Sequence, residues 1–134
     1  MARIYKMSDR IPVKIHDLKV KIAPLSYEVK SVCQGMIISG NHMQAAVHAL
    51  KNALKEVNGL ENADGSSYEL EFENGELTST CIDELLNVQW SNEIQMVAIS
   101  LLQGVPKEFT DPSTGKPLEG VTFAEAPKAK KAKR

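Results

Sequence analysis

Residues 11–22 read "IPVKIHDLKVKI", and the parity of their apolar positions decides the start of the fold. Ile11, Val13 and Ile15 share one face of an extended chain, since successive side chains alternate. After His16-Asp17 the parity shifts by one, and Leu18, Val20 and Ile22 continue it. A two-residue turn at His16-Asp17 restores a common face, because it sets Ile15 opposite Leu18 and Val13 opposite Val20. His-Asp is not the favoured turn dipeptide, yet the alternation on both sides is unbroken. The expectation is a β-hairpin with one buried face.

Beyond it, "APLSYEVKSVCQGMIISG" (23–40) changes period. Pro24 closes the strand, Ser26 suits an N-cap, and Tyr27, Val29 or Lys30, Cys33 and Ile37 recur at helical spacing. Gly40 ends that helix. A second helix is expected from Asn41, with Ala46, Val47, Leu50, Leu54 and Val57 as its stripe and Asn58-Gly59 as its stop.

In "LENADGSSYELEFENGELT" (60–78) the period becomes two: Tyr68, Leu70 and Phe72 alternate with Glu69, Glu71 and Glu73. That pattern predicts a strand with one acidic, wet face, followed by a tight turn at Asn74-Gly75. "TSTCIDELLNVQW" and "SNEIQMVAISLLQG" read as two more helices, capped by Thr78 or Ser79 and by Ser91, with Gly104 ending the second. Met96, Val97, Ile99, Leu101 and Leu102 make the last helix apolar on most sides, as expected of a core or interface element. After Val105-Pro106 no helical stripe remains. The fold class is therefore α+β: an N-terminal β-hairpin, about four helices, one further strand or short hairpin, and an extended C-terminal arm. The expected division is a core domain over 1–104 and a flexible, Pro-containing arm with a basic tail over 105–134. A turn is expected at Asp111-Pro112-Ser113-Thr114-Gly115.

A chain of 134 residues with 43% apolar side chains is one domain with room for a core. No apolar run approaches the ~20 residues of a membrane span. The start, "MARIYKMSDRIPVK", lacks the apolar segment of a secretory signal, so the expected address is the cytoplasm. Cys33 and Cys81 have no metal-type spacing and are expected to be buried thiols. Of the net −1 charge, Lys128, Lys130, Lys131, Lys133 and Arg134 contribute +5, which leaves −6 on residues 1–127.

Catalytic patterns are missing from the sequence. His42 and His48 are six apart, on different sides of a helix, and His16 sits in a turn; no metal or other cofactor is expected. Asp83 and Glu84 are placed in the first turn of a helix, where the macrodipole favours carboxylates. Neither "ADGSS" nor "DPSTGK" has phosphate-loop spacing, and Ser39-Gly40 is no nucleophile elbow. An enzyme is not expected. The basic tail offers a nucleic-acid contact through Lys128, Lys130, Lys131, Lys133 and Arg134, but no aromatic side chain interleaves them for stacking. A plain charged terminus is the competing reading. Protein binding has more distributed support: Met96, Leu101 and Leu102 on the last helix, the "QGMIISGNHM" loop, and Phe109, Val121 and Phe123 on the arm. Such residues either dock into a partner or fold back on the chain's own core; Met36 and Met43 likewise contact a partner or fill gaps.

Three stretches together resemble a known family. "VKIHDLKVKIAPLSYEVK", "ELTSTCIDELLN" and "LLQGVPKEFTDPSTGKPLEGV" resemble, in layout and local phrasing, the small tail assembly chaperones of long-tailed bacteriophages, over roughly residues 10–121. The resemblance implies a non-enzymatic protein of the host cytoplasm that binds the long tape measure protein and keeps it soluble. It also implies help in recruiting the major tail protein, and self-association into rings or helical arrays. In that family the gene often carries a programmed frameshift near its end, and the lysine codons of "KAKKAKR" would suit a slippery run at Lys130-Lys131. Two rivals remain: a structural tail or neck component, and a weak nucleic-acid-binding accessory protein.

Overall fold

The hairpin forms with the register read from its parity. In the computed structural model, which describes residues 3–111 and 114–124, β1 (Ile11–Ile15) and β2 (Leu18–Ile22) pair antiparallel. Ile15 faces Leu18, Val13 faces Val20 and Ile11 faces Ile22, and all six side chains are buried. The turn is made by placing His16 at φ 55°, a left-handed conformation that few side chains adopt. Outside, Lys14 stands opposite Lys19, and Lys21 meets Glu56 of the neighbouring strand at 3.9 Å.

Two further strands extend the hairpin into a four-stranded antiparallel sheet, order β3-β2-β1-β6, with β3 at Leu54–Asn58 and β6 at Val121–Phe123. Leu54 and Val57, whose spacing predicts that they continue the second helix, therefore belong to a strand instead. Their positions, three apart and both buried, fit a helix equally well. A bulge explains why a strand can bury both: Lys21 pairs with Glu56 but Ile22 pairs with Leu54, which leaves Lys55 as the extra residue and resets the parity.

Between β2 and β3 lie α1 (Tyr27–Ile38) and α2 (His42–Ala53). Ser26 caps α1 as expected, its Oγ accepting from the Val29 N–H at 3.2 Å. The buried stripe of α2 is Ala45, Ala49, Leu50 and Ala53; Ala46 and Val47 are only half-buried. α2 packs on α1 and on α4 (Ser91–Ser100).

Residues 68–71 alternate as expected but find no strand to pair with. The ladder is confined to β4 (Phe72–Glu73) and β5 (Glu76–Leu77), joined through Asn74 (φ 56°) and Gly75 (φ 81°), both left-handed as a type I′ turn requires. Thr78 then caps α3 (Ser79–Leu85), its hydroxyl accepting from the Cys81 N–H. With α3 this short, Asp83 and Glu84 fall in its last turn and not its first, so no macrodipole stabilises them. Glu84 instead accepts a hydrogen bond from the Tyr68 hydroxyl at 2.9 Å. Trp90, at φ 69°, opens α4 in the place expected of Ser91. A 3-10 turn, Leu101–Gln103, ends it at Gly104 (φ 95°).

The boundary expected at residue 104 is not where packing ends. Phe109 is 1% exposed and Val121 is also buried. β6 hydrogen-bonds along β1, with Val13 facing Phe123 and Ile15 facing Val121, and Phe109 and Phe123 pack with ring centroids 4.8 Å apart. Of the expected turn, Pro112 and Ser113 lie outside the described residues, and the Gly115 N–H donates to the Asp111 carbonyl at 2.7 Å. In the segment after Gly104, β6 completes the sheet, and Phe109 and Val121 join one core with Val13, Val20, Leu50, Ile82 and Val97. A contact between the hairpin turn and this segment fixes it further: the His16 N–H donates to the Gly120 carbonyl at 2.8 Å. Among the described residues no helix is long and apolar enough to cross a membrane.

Candidate functional site

The helical hairpin α1–α2 keeps much of its apolar surface outside. α1 carries Tyr27, Val29, Val32, Cys33, Met36, Ile37 and Ile38, yet buries only Cys33. That thiol donates to the Ala45 carbonyl, Sγ to O 3.4 Å, and burial raises its pKa. It is a packing group, not a nucleophile. Small residues facing it, Ala45 and Ala49, let the two helices approach closely. The link is short because α1 ends in a Schellman motif: the Gly40 N–H donates to the Ile37 carbonyl and the Asn41 N–H to that of Met36. Gly40 adopts φ 86°, and α2 starts two residues later.

This tight connection leaves Ile38 84% and Met43 71% exposed at the hairpin's tip. Tyr27, eleven residues before Ile38, is 86% exposed. Three helical turns span about eleven residues, so both project from the face opposite Cys33. Tyr27 was expected in the buried stripe; its place on the helix forbids that while Cys33 faces α2. Beside the tip lies an open cavity of about 230 Å³ lined by Met36, Met43, Gln44, Val47, His48 and Lys51. Met43, Val47 and Lys51 are successive turns of α2, so it is a groove running along that helix. Its floor is thioether and aliphatic, one end is cationic, and no carboxylate lines it. The chemistry available there is apolar docking with one charge contact.

The other residues expected to bind protein fare differently. Leu101, Phe109 and Val121 are core, at 1%, 1% and 4% exposure, and are unavailable to a partner in the folded chain. Met96 and Leu102 are half-buried on the last helix, and Phe123 is half-buried against Phe109. Lys128, Lys130, Lys131, Lys133 and Arg134 lie outside the described residues. Met36 and Met43, read from sequence as either gap-fillers or partner contacts, line the groove.

A second cavity of about 200 Å³ lies between Leu60, Glu61, Asn62, Tyr68, Glu84, Leu85 and Val88. Tyr68 donates to Glu84, and Cys81 Sγ lies 3.1 Å from the same phenolic oxygen. Burial first, then these two neighbours, hold the Tyr68 phenol well above its ordinary pKa. A phenol kept protonated and a buried thiol make a structural tie between the 60–68 loop and α3. Among the described residues no three His, Cys, Asp or Glu side chains are grouped to hold a metal ion. No family model, curated protein or solved structure matches the chain.

Proposed function

We propose that this protein is a non-enzymatic tail assembly chaperone of a long-tailed bacteriophage. In this reading it acts in the host cytoplasm, binds the tape measure protein and keeps it soluble while the tail is built. The observation that carries the reading is the uncovered apolar surface of α1–α2: Tyr27, Val32, Ile38 and Met43 are four of the seven large apolar side chains exposed among the described residues, the others being Ile4, Met7 and Phe72. An extended helical protein with bare apolar stripes needs such surfaces to cover it, and single soluble domains rarely leave them open. Many copies along one such protein would act by avidity, each contact being weak. The sequence resemblance supplies the identity of the partner, and possible contact with the major tail protein and self-association come from it too.

A structural tail or neck component stays in the finished particle, whereas a chaperone leaves it. Mass spectrometry of purified tails beside the assembling lysate separates the two. The chaperone reading expects this chain bound to the tape measure protein in the lysate and missing from the tails. Stoichiometric retention in finished tails overturns it.

A further inference from the structure

The groove on α2 differs in charge as well as polarity from the part of the chain that follows it. Across Tyr27–Ala53 the one carboxylate is Glu28, in the first turn of α1; the other charged side chains are Lys30 and Lys51. Residues 54–124 reverse this balance, with thirteen Asp and Glu against three lysines. The apolar groove is therefore cut into a segment poor in carboxylates. The hairpin before it is poor in them too, since Asp9 and Asp17 stand against six Lys and Arg in residues 3–26. The carboxylate nearest α2 in the hydrogen-bond pattern is Glu76, which accepts from Asn52 at 3.2 Å. The two ends of the groove also differ: Met36 and Met43 lie at the tip, with Lys51 two turns away on α2, about 12 Å along the axis.

From this asymmetry we infer that the groove receives an amphipathic helix in one orientation. Apolar side chains of that helix enter between Met36, Met43 and Val47, and a carboxylate one or two turns further on meets Lys51. Methionine walls suit a partner of varied apolar sequence, because the thioether chain repacks at low cost. Lys51 then supplies direction and choice, attracting an acidic helix and repelling a basic one. Lys30 and Lys51, at about 1 kcal/mol each, are too few to hold the α1–α2 surface on an anionic membrane. The inference deepens the chaperone reading, and rests on it only for the partner's name: it states which tape measure segments would be covered, those with an apolar stripe followed by acid.

The test uses the full chain, isotopically labelled for NMR, and two synthetic helices of about 18 residues. One carries leucines at helical spacing and glutamates at the far end; its twin carries lysines in place of the glutamates. Expected are shifts concentrated at Met36, Met43, Gln44, Val47, His48 and Lys51 with the acidic peptide, and binding about tenfold weaker with the twin. Lys51→Glu should reverse the preference. Met43→Glu should abolish binding while leaving the spectrum of the core unchanged, since Met43 is exposed. Equal binding of both peptides overturns the proposal, as do shifts located elsewhere, or binding to phosphatidylserine vesicles in place of the peptide. Groove shifts that grow with the chain's own concentration, without peptide, give the site to a second copy and overturn it too. Failure of the two readings can be told apart. A chain that binds the acidic peptide but leaves the tape measure protein insoluble refutes the chaperone reading alone. Solubilisation unimpaired by Met43→Glu refutes the groove alone.

Discussion

The imidazole of His16 lies flat on the indole of Trp90, ring centroids 4.6 Å apart and planes 16° from parallel. Both residues hold left-handed backbone, at φ 55° and 69°, and each sits where two elements meet: β1 with β2, and α3 with α4. His16 Nε2 is also 3.8 Å from Glu93 Oε2, and Gly120 packs directly under the ring. Three distant segments are thus tied at one point. Strain of this kind persists only where the surroundings enforce it.

Gly120 has φ 78°, and a Cβ there would collide with the His16 ring. Gly120→Ala should therefore destabilise the fold by about 1–3 kcal/mol through strain and overpacking. In a double-mutant cycle, adding His16→Ala should recover part of that loss, because the obstructing ring is gone. Strict additivity in urea unfolding would show that the ring is not what Gly120 accommodates.

Phe109 anchors the segment after Gly104. Phe109→Ala removes a buried aromatic side chain and should cost about 3–5 kcal/mol. A loss under about 1 kcal/mol in chemical denaturation would mean that this segment does not pack as described.

Truncation tests the same point at larger scale. A chain ending at 124 keeps β6, Phe109 and Val121 and should unfold cooperatively. A chain ending at 104 bares the β1 edge and part of the core, and should lose its cooperative calorimetric transition. Equal melting of the two would return the domain boundary to residue 104.

How far this fold could be read in the sequence depended on how local each signal was. The hairpin was legible down to its register because parity around His16-Asp17 is a two-residue matter. Ser26, Thr78, Gly40 and the Asn74-Gly75 turn were equally local. β3 was hidden because the bulge at Lys55 spaces Leu54 and Val57 by three, which imitates a helix continuing from Leu50. Residues 68–71 kept their alternation while Phe72, expected on the covered face, is exposed; whether a strand forms depends on a partner, which nothing within the segment encodes. The fate of Phe109 and Val121 was undecidable for the same reason: pairing with β1 spans more than a hundred residues. The groove was half visible, in Met36 and Met43, but its openness follows from how few residues α1 buries against α2.

The Tyr68 phenol gives a pH signature. Its pKa is raised in the folded chain, so the folded state holds that proton more tightly than the unfolded one. Its contribution is intact below the ordinary phenol value of 10.0 and is lost as pH rises beyond it. Between pH 9 and 11 the wild type should lose more stability than Tyr68→Phe, measured by urea unfolding at each pH. Parallel losses would show that Tyr68 is not held in this way.

The most direct measurement of the central claim is light scattering as denatured tape measure protein is diluted into buffer with the full chain, the Met43→Glu variant, or neither. Suppression of aggregation by the full chain, and loss of that suppression with Met43→Glu, is the predicted result. Aggregation that proceeds alike in all three would contradict the account.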